Sequence, residues 1–423
     1  MTVTALDPAR SESGRSADWR WAGAALFVCG WGGNQFTPLL DLYRSVNGWS
    51  ATVVNALLGA YVFGLIPALL LGGGAARRFG RKGTVSLAVL SSVLGSCLIA
   101  AQGLGGVAVG RLFSGVGVGL AMAVGTSWTT ELSVASGASP QTGAKRAALS
   151  LTAGFGLGAG VAGVLAQWGP WPESLPYAVQ VVLGLSALGG LRRVDPGALV
   201  AAHPFSSGHR RGPHADQGAP LGDRDRRRRF KTRVLPMAPW VFGTSAVAYA
   251  IVPQALAPRL GHHALIFATV LTVVTLGAGM LTQPLARRLD HPVTRRAPRS
   301  AMALVVAGLA IAAVAVATDQ PIVALGAAAV LGAGYGMSLL SGLLEVQRIA
   351  PPGRMVAATG AFYSLAYAGF LLPALLASLA HAVPVTTELI GLTVIAAVCT
   401  AVIWRPRERT SLGAGAASVG GTA

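Results

Sequence analysis

The sequence is 423 residues long, 53% hydrophobic and only 11% charged, with a mean hydropathy of +0.59. Soluble domains carry about 25% charged residues, so this chain cannot clothe a water-soluble core of its own size, and a soluble enzyme is excluded. The net charge of +18, from 33 Lys and Arg against 15 Asp and Glu, points to nucleic acid or an anionic surface until the bases are placed.

Residues 1–20 form a polar tail carrying acids as well as bases. A cleaved signal peptide would have a shorter apolar core ending at a small-residue site. The run that follows, 21–40, is long enough to be kept as a first span. Eleven more runs free of Asp, Glu, Lys and Arg come after it, at 45–76, 83–110, 112–130, 147–172, 174–191, 234–258, 260–286, 300–318, 320–344, 355–387 and 389–404. A helix needs about 20 mostly apolar residues to cross about 30 Å of hydrocarbon. Twelve transmembrane helices are therefore expected. The runs are apolar on every face, whereas a β-barrel would alternate in segments of about ten residues.

Cytoplasmic loops retain Lys and Arg, and with the N-terminus inside, thirty of the 33 bases fall on inner segments and two, Arg44 and Arg259, on outer ones. The remaining base, Arg111, stands near the start of the fourth span. Both termini are thus expected in the cytoplasm of a multi-pass protein of the cell membrane. The basic excess reports topology, and no nucleic-acid partner is expected, even for the string 224–231 (RDRRRRFK). Cys29, Cys97 and Cys399 lie in apolar runs without metal-ligand spacing, and no disulfide, metal or cofactor is expected. His203, His209 and His214 sit in a central segment whose Arg, His, Gly, Pro and Asp content reads as a linker.

That linker, 192–233, divides the spans into 21–191 and 234–404, followed by a tail at 405–423. AARR at 75–78 recurs as LARR at 285–288. Glu131 after GVGVG (115–119) recurs as Glu345 after GAGYG (332–336). Two landmarks share nearly one offset, as in parallel repeats of six helices that rock about a central site. The expected fold is an all-α polytopic membrane protein of two six-helix bundles related by pseudo-two-fold symmetry.

GGAARRFGRK at 73–82 resembles the loop signature between helices 2 and 3 of the major facilitator superfamily, matching at Arg78, Gly80, Arg81 and Lys82, with Arg77 in place of its Asp. RLFSGVGVG at 111–119 is similar to the helix 4 signature of that family. GFGLGAGVAG at 154–163 resembles its helix 5 antiporter signature, with Ala159 at the Pro position. The resemblance covers residues 21–404. It implies secondary transport by alternating access, with helices 1, 4, 7 and 10 lining the cavity.

A conformational gate is expected where Arg78, Arg81 and Lys82 end helix 2 near Glu131. The alternative is plain anchoring of positive charge at an anionic leaflet. Arg111, a base inside a span, should face the bundle interior and have a partner. Asp41 is the nearest acid in depth, so the pair is expected in the outer cavity with Asp41 carrying the proton; alternatively Asp41 and Arg44 cap helix 1 and Arg111 snorkels outward. Asn34, Gln35, Trp128, Tyr249, Gln254 and Tyr335 are candidate substrate contacts, against packing or, as for Trp240, an aromatic belt. Gly154, Gly158 and Gly163 are expected to serve close helix packing, as are Gly156 and Gly160; Tyr363 and Tyr367 also read as packing.

Apart from Arg111 the spans hold no embedded base, which disfavours multiply anionic substrates. The expected function is proton-coupled export of small hydrophobic or amphipathic compounds by a monomer, with no ATP-binding string. The alternatives are a permease importing an uncharged or zwitterionic metabolite, or a polytopic protein that does not transport.

Overall fold

The computed structural model describes residues 18–194, 222–290, 296–351 and 354–404. The tails, and the linker segment that holds His203, His209 and His214, lie outside the described residues.

All the described elements are helices. The first spanning helix, α1, runs Asp18–Asn34, turns through a 3-10 segment at Thr37–Leu39 set by Pro38, and resumes as Leu40–Asn47. Gly48, at φ 67°, ends it in the left-handed region that glycine tolerates. Ala51–Ala100 is a 50-residue helical stretch broken at Gly80, where φ 71° and ψ 170° admit no ordinary helix. The break separates α2 from α3. Helix α4 comprises Leu104–Leu120 and Thr126–Ala135, joined by a π-helical turn; α5 is Pro140–Trp168 and α6 is Leu175–Arg192.

Helix α7 begins at Asp223–Arg229 and continues through π-helical turns at Phe230–Val234 and Val247–Ile251 to Leu260. Then follow α8 (Ala264–Leu289), α9 (Arg296–Ala317), α10 (Pro321–Ile349), α11 (Met355–Ala368, continued as Leu372–Leu379) and α12 (Val385–Trp404). Each of the twelve overlaps one of the charge-free runs in order.

The two halves repeat at the level of helix crossings. A side chain on Gly115 of α4 would stand 1.9 Å from the Tyr61 carbonyl of α2, and one on Gly119 would stand 2.5 Å from the Leu65 carbonyl. In the second half side chains on Gly332 and Gly336 of α10 would stand 2.2 and 1.9 Å from the carbonyls of Thr275 and Gly279 in α8. The matching carbonyls lie 214 residues apart and the matching glycines 217. Backbone contact without a Cβ is how membrane helices gain dispersion attraction where lipid offers no hydrophobic driving force.

A second repeat joins the third and sixth helices of each half. Lys82, at the start of α3, donates from Nζ to the carbonyls of Arg192 (3.1 Å) and Val194 (2.7 Å) at the end of α6. Arg299, near the start of α9, donates to the Trp404 carbonyl that ends α12 at 3.3 Å. Both bases satisfy terminal carbonyls and meet the negative end of a helix dipole. In each half the third helix thus caps the sixth.

Candidate functional site

Call the end of the molecule that carries Arg192, Gly222 and Asp290 the linker end, and the opposite one the distal end. Arg111 lies seven residues from the distal start of α4 and is fully buried. Its Nε donates to the Leu57 carbonyl at 3.3 Å, its two terminal nitrogens to Gly33 and Leu58 at 3.2 Å each. Gly33 belongs to the last turn of Asp18–Asn34, where carbonyls lack helical partners. The guanidinium also lies over the rings of Phe36 (4.7 Å) and Tyr61 (4.8 Å). A rigid planar fork can meet three carbonyls and two aromatic faces at once, which an ammonium cannot. Three of its five N–H groups are occupied, and no carboxylate among the described residues reaches it.

The expected pairing with Asp41 is therefore corrected. Asp41 sits in the first turn of Leu40–Asn47 and bonds Arg44 one turn on at 3.3 Å, a spacing that faces the two together. The local partner outcompetes the remote one because it requires no burial of a second charge. Beside this pair, Tyr43 donates to Tyr177 at 3.0 Å and Asn47 to Glu173 at 2.6 Å, tying α1 to the α5–α6 turn and α6.

An aromatic layer lies across the interface of the halves at mid-depth. Phe242 of α7 stacks on Tyr367 of α11 at 4.2 Å and on Phe370 at 5.1 Å, and leans on Tyr335 of α10 at 5.6 Å. Tyr61 of α2 meets Tyr367 and Phe370 edge-on at 6.2 and 5.5 Å, and Tyr367 donates to the Met122 sulfur of α4 at 3.1 Å. Through Tyr61 the layer is continuous with Arg111. Edge-on and offset ring pairs add about 0.5–1.5 kcal/mol each beyond their burial.

Of the residues expected to meet substrate, Tyr335 and Tyr249 lie at this layer: Tyr335 against Phe242, and Tyr249 near Phe370 at 6.4 Å. The others are engaged elsewhere. Asn34 donates to the Phe155 carbonyl at 3.1 Å and accepts from Thr37. Gln35 donates to Ser96 at 2.9 Å. Trp128 is 3% exposed and packs in the core of the first half, and Trp240 in that of the second. Gln254 exchanges two hydrogen bonds with Asn55 of α2. Tyr61, Phe242 and Phe370 were not singled out from the sequence, because a lone aromatic in an apolar run gives no sign of which bundle face it occupies.

Apart from the mid-depth bond of Tyr367 to Met122, the hydrogen bonds joining the halves among the described residues are found towards the distal end. Besides Asn55 and Gln254, Thr52 donates to the Ala377 carbonyl at 3.1 Å, and Gln167 bridges to the His262 carbonyl and the Ile266 amide. The ion pairs of Glu131, Glu345 and Asp290 at the linker end each stay within one half. Arg81 pairs with Glu131, Arg233 with Glu345, and Arg348 with Asp290 at 2.5 Å and Glu345 at 3.7 Å. Arg78, expected beside Arg81 in the gate, lies over its neighbour Phe79.

Gly154 and Gly158 press α5 on α1, where added side chains would stand 2.1 Å from the Phe27 carbonyl and 2.6 Å from the Trp31 Cα. Gly163 faces Thr269 of α8 across the halves, while Gly156 has open space.

The sequence profile of the Major Facilitator Superfamily matches residues 21–374. No curated protein matches the chain in sequence. Among solved structures, the fold is similar to that of the nucleoside transporter NupG, at 11% identity, with a TM-score of 0.70 over 92% of this chain and 98% of that one. It is also similar to a peptide transporter POT, at 12% identity and a TM-score of 0.72 over 91% and 92%. The xylose transporter XylE from E. coli, in its inward open conformation, matches at 14% identity and a TM-score of 0.66 over 93% and 97%. With the profile spanning most of its length, this chain belongs to the Major Facilitator Superfamily, a transporter and not an enzyme.

Proposed function

We propose that the chain exports small hydrophobic or amphipathic compounds across the cell membrane in exchange for protons. The observation that carries this reading is the mid-depth layer of Tyr61, Phe242, Tyr335, Tyr367 and Phe370 on four helices from both halves. It brings together aromatic rings and no charged group apart from Arg111 behind Tyr61, and a ligand would enter by parting the stacked rings. A site of that composition selects planar apolar molecules and leaves multiply charged ones to water.

Inter-half hydrogen bonds at the distal end, with separate ion pairs at the linker end, support an arrangement open towards the linker end, and the bases of the inner loops support placing that end and both termini in the cytoplasm. Alternating access then requires the distal bonds to break as the linker ends close. Asp41, covered except for its contact with Arg44, is the carboxylate assigned to the coupling proton. Protonation would release Arg44 and loosen the distal end of α1.

Purified protein in vesicles, loaded with an uncharged planar aromatic dye, tests the reading. Dye flux should follow an imposed pH gradient in direction and size, and Asp41→Asn should uncouple it. Flux indifferent to the gradient rejects proton exchange, and movement of dye with the protons identifies a symporter instead.

A further inference from the structure

Helix α7 starts well before its apolar span. Its first turns, Asp223–Arg229 and Phe230–Val234, carry Arg224, Arg226, Arg227, Arg228, Arg229, Lys231 and Arg233. These bases differ in burial, with Arg226 and Arg229 half-buried. Arg233 turns inward and pairs with Glu345, both nearly buried. Arg224, Arg227, Arg228 and Lys231 are exposed. At about 100° per residue, those four lie within about 100° of the helix circumference, so they make one stripe. The exposed Asp225 stands one residue round from it.

Two further observations say what the stripe faces. Leu235 is 44% exposed and lies four residues after Lys231, so the same face changes from basic to apolar along its length. At about 1.5 Å per residue, the stripe spans from about 5 Å to about 15 Å beyond Val234, where the charge-free span begins. The headgroup layer is about 5–8 Å deep on each side of the hydrocarbon. Lys231 therefore falls at phosphate depth, with Arg228 and Arg227 just above and Arg224 over the surface. A nucleic acid or protein partner would need no apolar continuation on that face.

We propose that this face of α7 is a binding site for the phosphate of anionic phospholipids in the leaflet at the linker end. Polybasic segments next to a span hold such lipids by Coulomb attraction, and arginine adds paired donors to phosphate oxygens. Because the stripe is rigidly joined to Arg233, a bound lipid also holds the helix that carries the α7–α10 ion pair.

The test titrates the full chain in neutral detergent with phosphatidylglycerol and, separately, phosphatidylcholine, counting retained lipid by native mass spectrometry. Phosphatidylglycerol is expected to bind at least about tenfold more tightly, and the combined Arg224→Gln, Arg227→Gln, Arg228→Gln and Lys231→Gln variant should lose that preference. Replacing the three arginines by Lys should retain most of it. Raising salt from about 0.05 to about 0.5 M should weaken wild-type binding severalfold, a reading that needs no variant. The proposal is overturned if the Gln variant folds and keeps the preference, or if salt leaves wild-type binding unchanged. It is equally overturned if free glycerol phosphate or a single-stranded oligonucleotide binds the stripe as tightly as phosphatidylglycerol.

Discussion

Asn55 of α2 and Gln254 of α7 exchange amide hydrogen bonds in both directions, at 3.0 and 3.2 Å, and Asn55 also holds the Ala51 carbonyl at 2.9 Å. Two amides facing each other satisfy one donor and one acceptor on each side. Asn55 is fully buried, so a lone partner left behind would carry a desolvation cost of about 1–3 kcal/mol. This pair joins the halves at the distal end, and Asn55→Ala should shift the population toward distal opening by about five- to hundredfold. Spin labels at Val46→Cys and His262→Cys, on opposite halves, would read it as a longer distance in a larger share of molecules. An unchanged distance distribution would show that Thr52 and Gln167 suffice.

Much of the fold was legible because burial in lipid is written in one variable. Without water to solvate a polar group, the spans must lack charge along their length, and the runs from 21 to 404 show that directly. Arg111 stood out by the same rule. Its partners did not, because backbone carbonyls leave no mark in a sequence, whereas an acid does; Asp41 was preferred for being visible. The same asymmetry hid the capping of α6 by Lys82. Gln254 was noticed as polar, yet its partner lies 199 residues away on another helix, and no local spacing encodes that.

Arg111 can be tested against lysine. Arg111→Lys keeps the charge but offers one point of donation in place of a fork, and loses the flat stacking between Phe36 and Tyr61. Each hydrogen bond involving a charged group contributes about 1.5–3 kcal/mol. Lysine should therefore lower the thermal midpoint measurably and cut transport at least about tenfold, while Arg111→Met should do no worse in stability than Arg111→Lys. If lysine restores full transport, the charge alone matters and the carbonyl cradle does not.

Neighbouring glycines in α5 give a contrast with its control built in. Gly154→Ala places a methyl 2.1 Å from the Phe27 carbonyl and must push α5 off α1, at about 1–3 kcal/mol for overpacking. Gly156→Ala meets nothing within 4 Å and should be neutral or stabilising by up to about 1 kcal/mol, since alanine favours helix. Thermal unfolding of the two variants should differ in sign. Equal effects would mean that the α1–α5 crossing is loose.

The two ion pairs formed by Glu131 and Glu345 should behave unequally although both acids stand at the linker end of corresponding helices, α4 and α10. Arg81 and Glu131 keep 45% and 21% of their side-chain surface, whereas Arg233 and Glu345 keep 10% and 11%. Exposed pairs contribute about 0–1 kcal/mol, and breaking a buried one costs about 3–5 kcal/mol because a charge is stranded. Arg348, 3.7 Å from Glu345, would be left without that second acid and with Asp290 alone. Glu345→Gln should thus lower the unfolding midpoint by several degrees, and the double variant Arg233→Met with Glu345→Leu should recover most of the loss by removing both charges. Glu131→Gln should leave the midpoint within about a degree. Its effect, if the Arg81 contact is a gate, belongs in the rates at which the linker end opens and closes, so it should change transport at nearly constant stability.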